Sequence, residues 1–226
     1  MQKQEMKQVI ETLMNKVSFA ENNRLLYVQL CSLCGEGKPY EEVWYIAKTF
    51  WSMTTQNIFV RIIWELMQLY DEHKQAYGLL KLMRVCEQNQ RLFYDNIADP
   101  IKRQNEMRKL LADIYQEYSK IEQQRKKLKT IRDVDMAHLD AKYILNTNAV
   151  YMEENFVWKD IEELIRSAFV ICNSISLALT DECYHGVFNK ISDMALLICA
   201  ARNGNQPIQD EEREILLANI VPTDKS

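Results

Sequence analysis

A chain of 226 residues that is 47% apolar and 27% charged can bury a sizeable core, but five glycines and four prolines are too few to turn a β-sandwich, a barrel or a doubly wound α/β fold. The glycines, Gly35, Gly37, Gly78, Gly186 and Gly204, are also too scattered for a phosphate-cradling loop or a dinucleotide fingerprint. Twenty-eight basic residues against 32 acidic ones give a net charge of −4, so the molecule as a whole is no polycation, yet residues 102–132 hold ten bases and four acids. Such a segment is either a surface facing phosphates or a solvated helix face with i,i+4 pairs such as Glu122 with Lys126.

In chain order, Met6, Val9, Ile10, Leu13 and Val17 recur at three and four residues, the stripe of an amphipathic helix. Ser18 and Glu21 fit a capping box, which predicts a second helix from Ser18 to about Cys34, ended by Gly35, Gly37 and Pro39. Residues 40–71 are apolar around most of a helical circumference, so this segment is expected at the centre of the fold or at a subunit interface. A shorter helix follows over 79–90, and the Asp99-Pro100 step marks the start of the next. Residues 101–129 form a long helix with basic faces, residues 156–179 another, and residues 181–202 a last one that stops at Asn203-Gly204. The expected fold is all-α, a bundle of about six to seven helices in one domain over residues 1–204, with an acidic tail at 205–226 that holds at most one short helix.

The longest apolar run, 194–201, is far below the roughly 18 residues that span a bilayer, and the N-terminus carries no apolar signal core. A cytoplasmic protein with no membrane partner is therefore expected, its six cysteines reduced. Cys31 and Cys34, with Cys183 and His185, have the donor types of a zinc site. Their place inside an apolar helical stretch favours ordinary packing, so no metal and no cofactor are expected.

Of three histidines, His73 ends a helix and suits a structural role, and His185 has no evident partner. His138 stands six residues after Arg132, directly beyond the basic helix, in Arg132-Asp133-Val134-Asp135-Met136-Ala137-His138. Arginine and histidine together can cleave RNA without a metal. The planar fork grips a phosphate, imidazole exchanges protons near neutral pH, and RNA carries its own nucleophile in the 2′-hydroxyl. In an unbroken α-helix the two side chains would diverge by about 120° around the axis and about 9 Å along it. Convergence needs an irregular backbone near 130–133 or a second subunit. Thr130 to Asp133 has the form of a capping box and would put Arg132 at the start of a new short helix. A purely structural reading stays open beside it: Asp133 as a cap, Arg132 paired with Asp135 or Asp140, and His138 in the core.

Arg132-Asp133 through Ala137-His138-Leu139-Asp140, between long helices of an all-α chain, resembles the motif of the HEPN superfamily, above all its abortive-infection U-type (AbiU-like) branch. The helix at 57–74 is similar to a second helix of that branch. The resemblance implies a bundle that dimerises so that two motifs face one cleft, acting as a metal-independent endoribonuclease of the toxin type in phage defence or a toxin–antitoxin pair. By position it makes Arg132 and His138 the catalytic pair and Asp133 the accessory polar residue. Lys126, Lys127 and Lys129 would lead the RNA substrate in, and an antitoxin or defence protein would be a further partner. One departure is Asp140, which stands where HEPN toxins silenced by tyrosine modification carry that tyrosine. The other reading is a noncatalytic, dimeric helical interaction or scaffold module, served by the apolar helix at 40–71 and the basic helix at 101–129. RNA binding through several lysines weakens steeply with salt, whereas an apolar protein interface does not.

Overall fold

The computed structural model describes residues 2–136 and 149–184, and among these every regular element is helical. The order is α1 (Lys3–Leu33), α2 (Glu41–Ile46), α3 (Lys48–Leu69), α4 (Leu79–Gln88), a 3₁₀ turn (Gln90–Leu92), α5 (Pro100–Lys120), α6 (Glu122–Ile131), a π-helical turn (Arg132–Met136), α7 (Ala149–Glu153) and α8 (Trp158–Thr180). The chain divides into two compact units, one of Met1–Ala20 with Ile63–Gly186 and one of Glu21–Ile62 with Val187–Ser226.

The first unit is built around α8, which packs against α4, α5 and α6. Ile161, Leu164, Ile165, Ala168, Ile171, Cys172 and Ile175 recur at three and four residues along it and are all buried. With a mean hydropathy of 1.3, α8 is long and apolar enough to cross a membrane, but 56% of that stretch is covered by protein, as in a core helix. At its N-terminus the Asp160 carboxylate accepts the Val157 N–H at 2.8 Å and an ammonium hydrogen of Lys127 at 3.0 Å. α5 starts as its sequence predicts: Asp99 accepts from the Ile101 and Lys102 amides, and Pro100 fills the first turn.

The second unit, within the described residues, joins the C-terminal part of α1 to α2 and the first turns of α3. Tyr27 and Phe59 pack ring to ring, 6.0 Å between centroids. Gly35 and Gly37 have φ of 134° and 70°, in the left-handed region, and so close the turn where α1 stops, near the expected Cys34.

Four expected boundaries move. No helix begins at Ser18; α1 runs through it, because the buried stripe Ile10, Leu13, Met14, Val17 and Ala20 continues without a glycine or proline to interrupt it. The expected helix at 101–129 breaks at Ile121 (φ −103°, ψ 23°). There the Ser167 hydroxyl of α8 donates to the Glu117 carbonyl at 3.4 Å, the acceptor that an unbroken helix would offer to the Ile121 amide. The apolar stretch at 40–71 likewise splits at Ala47 (φ −141°, ψ 48°). Its device is the same: the Trp51 indole N–H donates to the Val43 carbonyl at 3.0 Å, which would otherwise accept from Ala47. Residues 181–184, expected to open the last helix, follow α8 without helical structure, with Asp181 at φ 58° as its C-cap. The rest of that helix, its stop at Gly204 and the tail at 205–226 lie outside the described residues.

Candidate functional site

The basic segment ends at α6, and the backbone then widens. Thr130 does not cap a new helix. Its hydroxyl donates back to the Lys126 carbonyl at 3.2 Å, and Arg132 keeps α-helical angles (φ −56°, ψ −50°) as α6 passes into the π-turn. The capping-box expectation for Thr130 is therefore corrected: Arg132 stands at the C-terminal end of a helix, and the backbone irregularity is the π-turn itself. Such an inserted turn costs hydrogen-bond quality and is often found where a side chain must be re-aimed for function.

Two carboxylates hold the Arg132 guanidinium. Asp133 Oδ1 accepts from Nε and lies 2.8 Å from Nη2, which fixes one edge of the plane. Asp71 Oδ1 accepts from Nη1 at 3.3 Å. Nε and Nη1 thus each donate to a carboxylate and Nη2 lies beside one, and the anchored guanidinium keeps further N–H groups on Nη1 and Nη2. Arg132 is about one third exposed, so the group is both anchored and reachable.

The second anchor comes from the corner after α3, Tyr70-Asp71-Glu72-His73, where four consecutive side chains each have a different task. The Tyr70 hydroxyl donates to the Leu164 carbonyl of α8 at 2.6 Å, and burial holds its pKa well above the usual range. Asp71 takes Arg132. Glu72 pairs with Arg125 of α6 and accepts from the Tyr118 hydroxyl at 3.0 Å, while the Arg125 guanidinium stacks 3.8 Å from the centre of the Tyr118 ring. His73 folds the corner: its amide donates to Asp71 Oδ1 at 3.0 Å, and its Nδ1 accepts from the Gln75 amide at 3.3 Å. His73 therefore shapes the turn, a structural role. Gly78 completes the corner, since a Cβ there would stand 2.7 Å from the Asp71 carbonyl and 2.8 Å from that of Leu69. No side chain fits so close to a backbone, and glycine lets the loop close against the start of α4.

Beside this corner lies a cleft of about 220 Å³ whose lining includes Asp71, His73, Lys74, Lys81 and Arg84. The Lys81 ammonium crosses it to the Lys74 carbonyl at 3.2 Å.

The three lysines singled out in the sequence differ. Lys126 is exposed and pairs with Glu122 at 2.6 Å, the i,i+4 contact expected of a solvated face, and Lys129 is exposed. Lys127 is engaged in structure, its ammonium shared between Asp160 at 3.0 Å and the Asn155 carbonyl at 2.9 Å. His138, Asp140 and His185 lie outside the described residues, and Met136, the last residue of the π-turn, precedes His138 by two positions. Among the described residues no group of three His, Cys, Asp or Glu side chains is placed to hold a metal. Cys34, just past the end of α1, is buried with its thiol pushed up to about 11 by desolvation, the behaviour of a packed cysteine.

Sequence reasoning missed Asp71, Glu72 and Gly78. The only signal for them was two adjacent acids at the end of an apolar helix with a glycine seven residues after the first.

No curated protein and no solved structure matches this chain. A family model, that of the AbiU2 type of HEPN domain, matches residues 35–196, which takes in the corner at 70–78, the basic helices, the π-turn and the motif at 132–138. The chain belongs to the AbiU2 family of HEPN domains.

Proposed function

We propose that this protein is a metal-independent endoribonuclease acting in phage defence or as the toxin of a toxin–antitoxin pair. The observation that carries the reading is the anchored, half-open guanidinium of Arg132, held by Asp133 and Asp71 on a π-turn two residues short of His138 in sequence. Family membership supports it, since abortive infection is the setting the family name denotes. Arg132 would grip the scissile phosphate and offset the charge that builds on its nonbridging oxygens. His138 would accept the 2′-hydroxyl proton as the 2′-oxygen attacks phosphorus, or return a proton to the 5′-oxygen as the P–O5′ bond breaks. Asp133 keeps the fork in plane. Lys126 and Lys129 on the rim of α6 supply attraction for the RNA backbone, with Lys127 withdrawn to its ion pair. The active form is a homodimer in which two motifs share a cleft, and an antitoxin or defence partner would restrain it.

Arg132→Ala and His138→Ala test the reading directly. Each should lower cleavage of single-stranded RNA by about 10²- to 10⁴-fold with the helical content intact. Equal cleavage by wild type and both variants would refute it and leave the noncatalytic module, which the exposed apolar face of α3 favours.

A further inference from the structure

The cleft beside the corner at 70–78 is walled by two segments of the first unit. The corner brings Lys74, and α4 brings Leu80, Lys81, Arg84, Val85 and Gln88. At about 100° per residue these five lie within about 140° of one another around the helix, so they form one face. Lys74 and Arg84 are exposed and Lys81 is half-buried. The nearby acids are already engaged. Asp71 accepts from Arg132 and from the His73 amide, Glu72 from Arg125 and the Tyr118 hydroxyl, and Glu87, further along α4, from the Tyr115 hydroxyl at 3.2 Å. Among the described residues, Lys74, Lys81 and Arg84 form no ion pair. The Lys81 ammonium turns instead to the Lys74 carbonyl and to the Tyr77 ring, 5.2 Å from its centre. Three cations in a concavity, with no carboxylate to neutralise them, focus a positive potential there.

We infer that this cleft is a subsite for the RNA strand, in which Lys74, Lys81 and Arg84 take a backbone phosphate flanking the scissile one. The apolar wall of Leu80 and Val85 takes the sugar or base attached to it. The inference rests on the proposed nuclease reading for where the scissile phosphate lies. Two observations favour a strand over a free nucleotide. Asp71 is both a wall of the cleft and the 3.3 Å partner of Arg132, so the cleft opens one carboxylate away from the guanidinium, where a neighbouring unit of the same strand would pass. Its volume, about 220 Å³, is below the roughly 300 Å³ at which pockets for whole small ligands begin, and suits part of a nucleotide whose remainder continues outside.

An octamer of 2′-O-methyl RNA keeps the phosphates but has no 2′-hydroxyl to attack, so its binding to the full chain reads the cleft independently of cleavage. In fluorescence anisotropy over a salt series, Lys81→Ala with Arg84→Ala should weaken binding about 10-fold and lower the slope of log affinity against log salt by about one. Lys81→Arg with Arg84→Lys keeps both charges and should retain the wild-type slope, which a merely structural role for the two positions would not require. Adenosine 5′-monophosphate is the second probe. Its binding by the wild type and loss in the alanine variant, with the octamer unaffected, would overturn the inference and assign the cleft to a free nucleotide. No octamer binding by the wild type, or the same affinity and slope in the alanine variant, would overturn it as well. Octamer binding that depends on these residues, in a protein that cleaves no RNA, would refute the nuclease and leave the cleft as an RNA site.

Discussion

In the proposed reaction Arg132 serves best with its plane fixed before substrate arrives, because a guanidinium that must be ordered at each encounter loses side-chain entropy that a held one does not. Asp133 alone fixes one edge and leaves rotation about the remaining bonds. Asp71, reaching from the other side through a corner closed by Gly78, removes it. Asp71→Ala should therefore lower kcat for the proposed RNA cleavage by about 10- to 100-fold while KM changes little, since Lys126 and Lys129, proposed to attract the RNA backbone, are untouched. Asp71→Asn, which keeps an oxygen acceptor, should stay within a few-fold of wild type, and steady-state kinetics on a short RNA separates the two. A fall in both parameters together, equal for alanine and asparagine, would mean that Asp71 only holds the fold. At this scale the sequence was legible in part. Arg132 and Asp133 announced themselves through local spacing to His138, whereas Asp71 is 61 residues away and reaches Arg132 only because Tyr70, Glu72 and Gly78 fold its corner against α4, α6 and α8. Contacts made through tertiary structure leave no periodic trace.

Among the elements, periodicity located the helices and missed their breaks for one reason. At Ile121 and at Ala47 a side-chain donor from a later residue, the Ser167 hydroxyl or the Trp51 indole, takes the carbonyl that the next turn would have used. Neither residue is a glycine or proline, so no local breaker was available to read. The break at Ile121 separates α6 from α5, and Lys127 pins α6 to α8 through Asp160. Lys127 and Lys129, two residues apart, should then behave differently. Lys127→Ala strands a carboxylate that is 6% exposed and should cost about 1–3 kcal/mol in chemical denaturation. Lys129→Ala should leave stability within about 0.5 kcal/mol and reduce the salt slope of RNA binding by about one. Identical behaviour of the two variants in both measurements would contradict this division of labour.

For the whole molecule, the first unit carries both the site and a core rich in weak acids kept neutral by burial. Desolvation pushes the thiols of Cys86 and Cys172 up to about 12 and raises Tyr118 and Tyr70 above the ordinary tyrosine range. In each case the folded state binds a proton more tightly than the unfolded chain. Their contribution to stability is complete below the unfolded pKa values, near 9 for the thiols and 10 for the phenols, and is lost as pH rises toward the folded ones. The melting temperature should accordingly hold steady through neutrality and fall from about pH 9 upward; a Tm that rises over that interval would contradict the burial of these four groups. The all-α class was legible from composition alone, since scarce glycine and proline leave no turns for sheets, and the family match agrees with it.

The central proposal is that Arg132 and His138 cleave RNA using its own 2′-oxygen. The most direct measurement is to incubate the purified protein and its His138→Ala variant with mixed RNA in EDTA and determine the fragment ends. The account predicts cleavage by the wild type alone, with 2′,3′-cyclic phosphate on one fragment and a 5′-hydroxyl on the next. Intact RNA in both samples, or the same fragments from both, would contradict it.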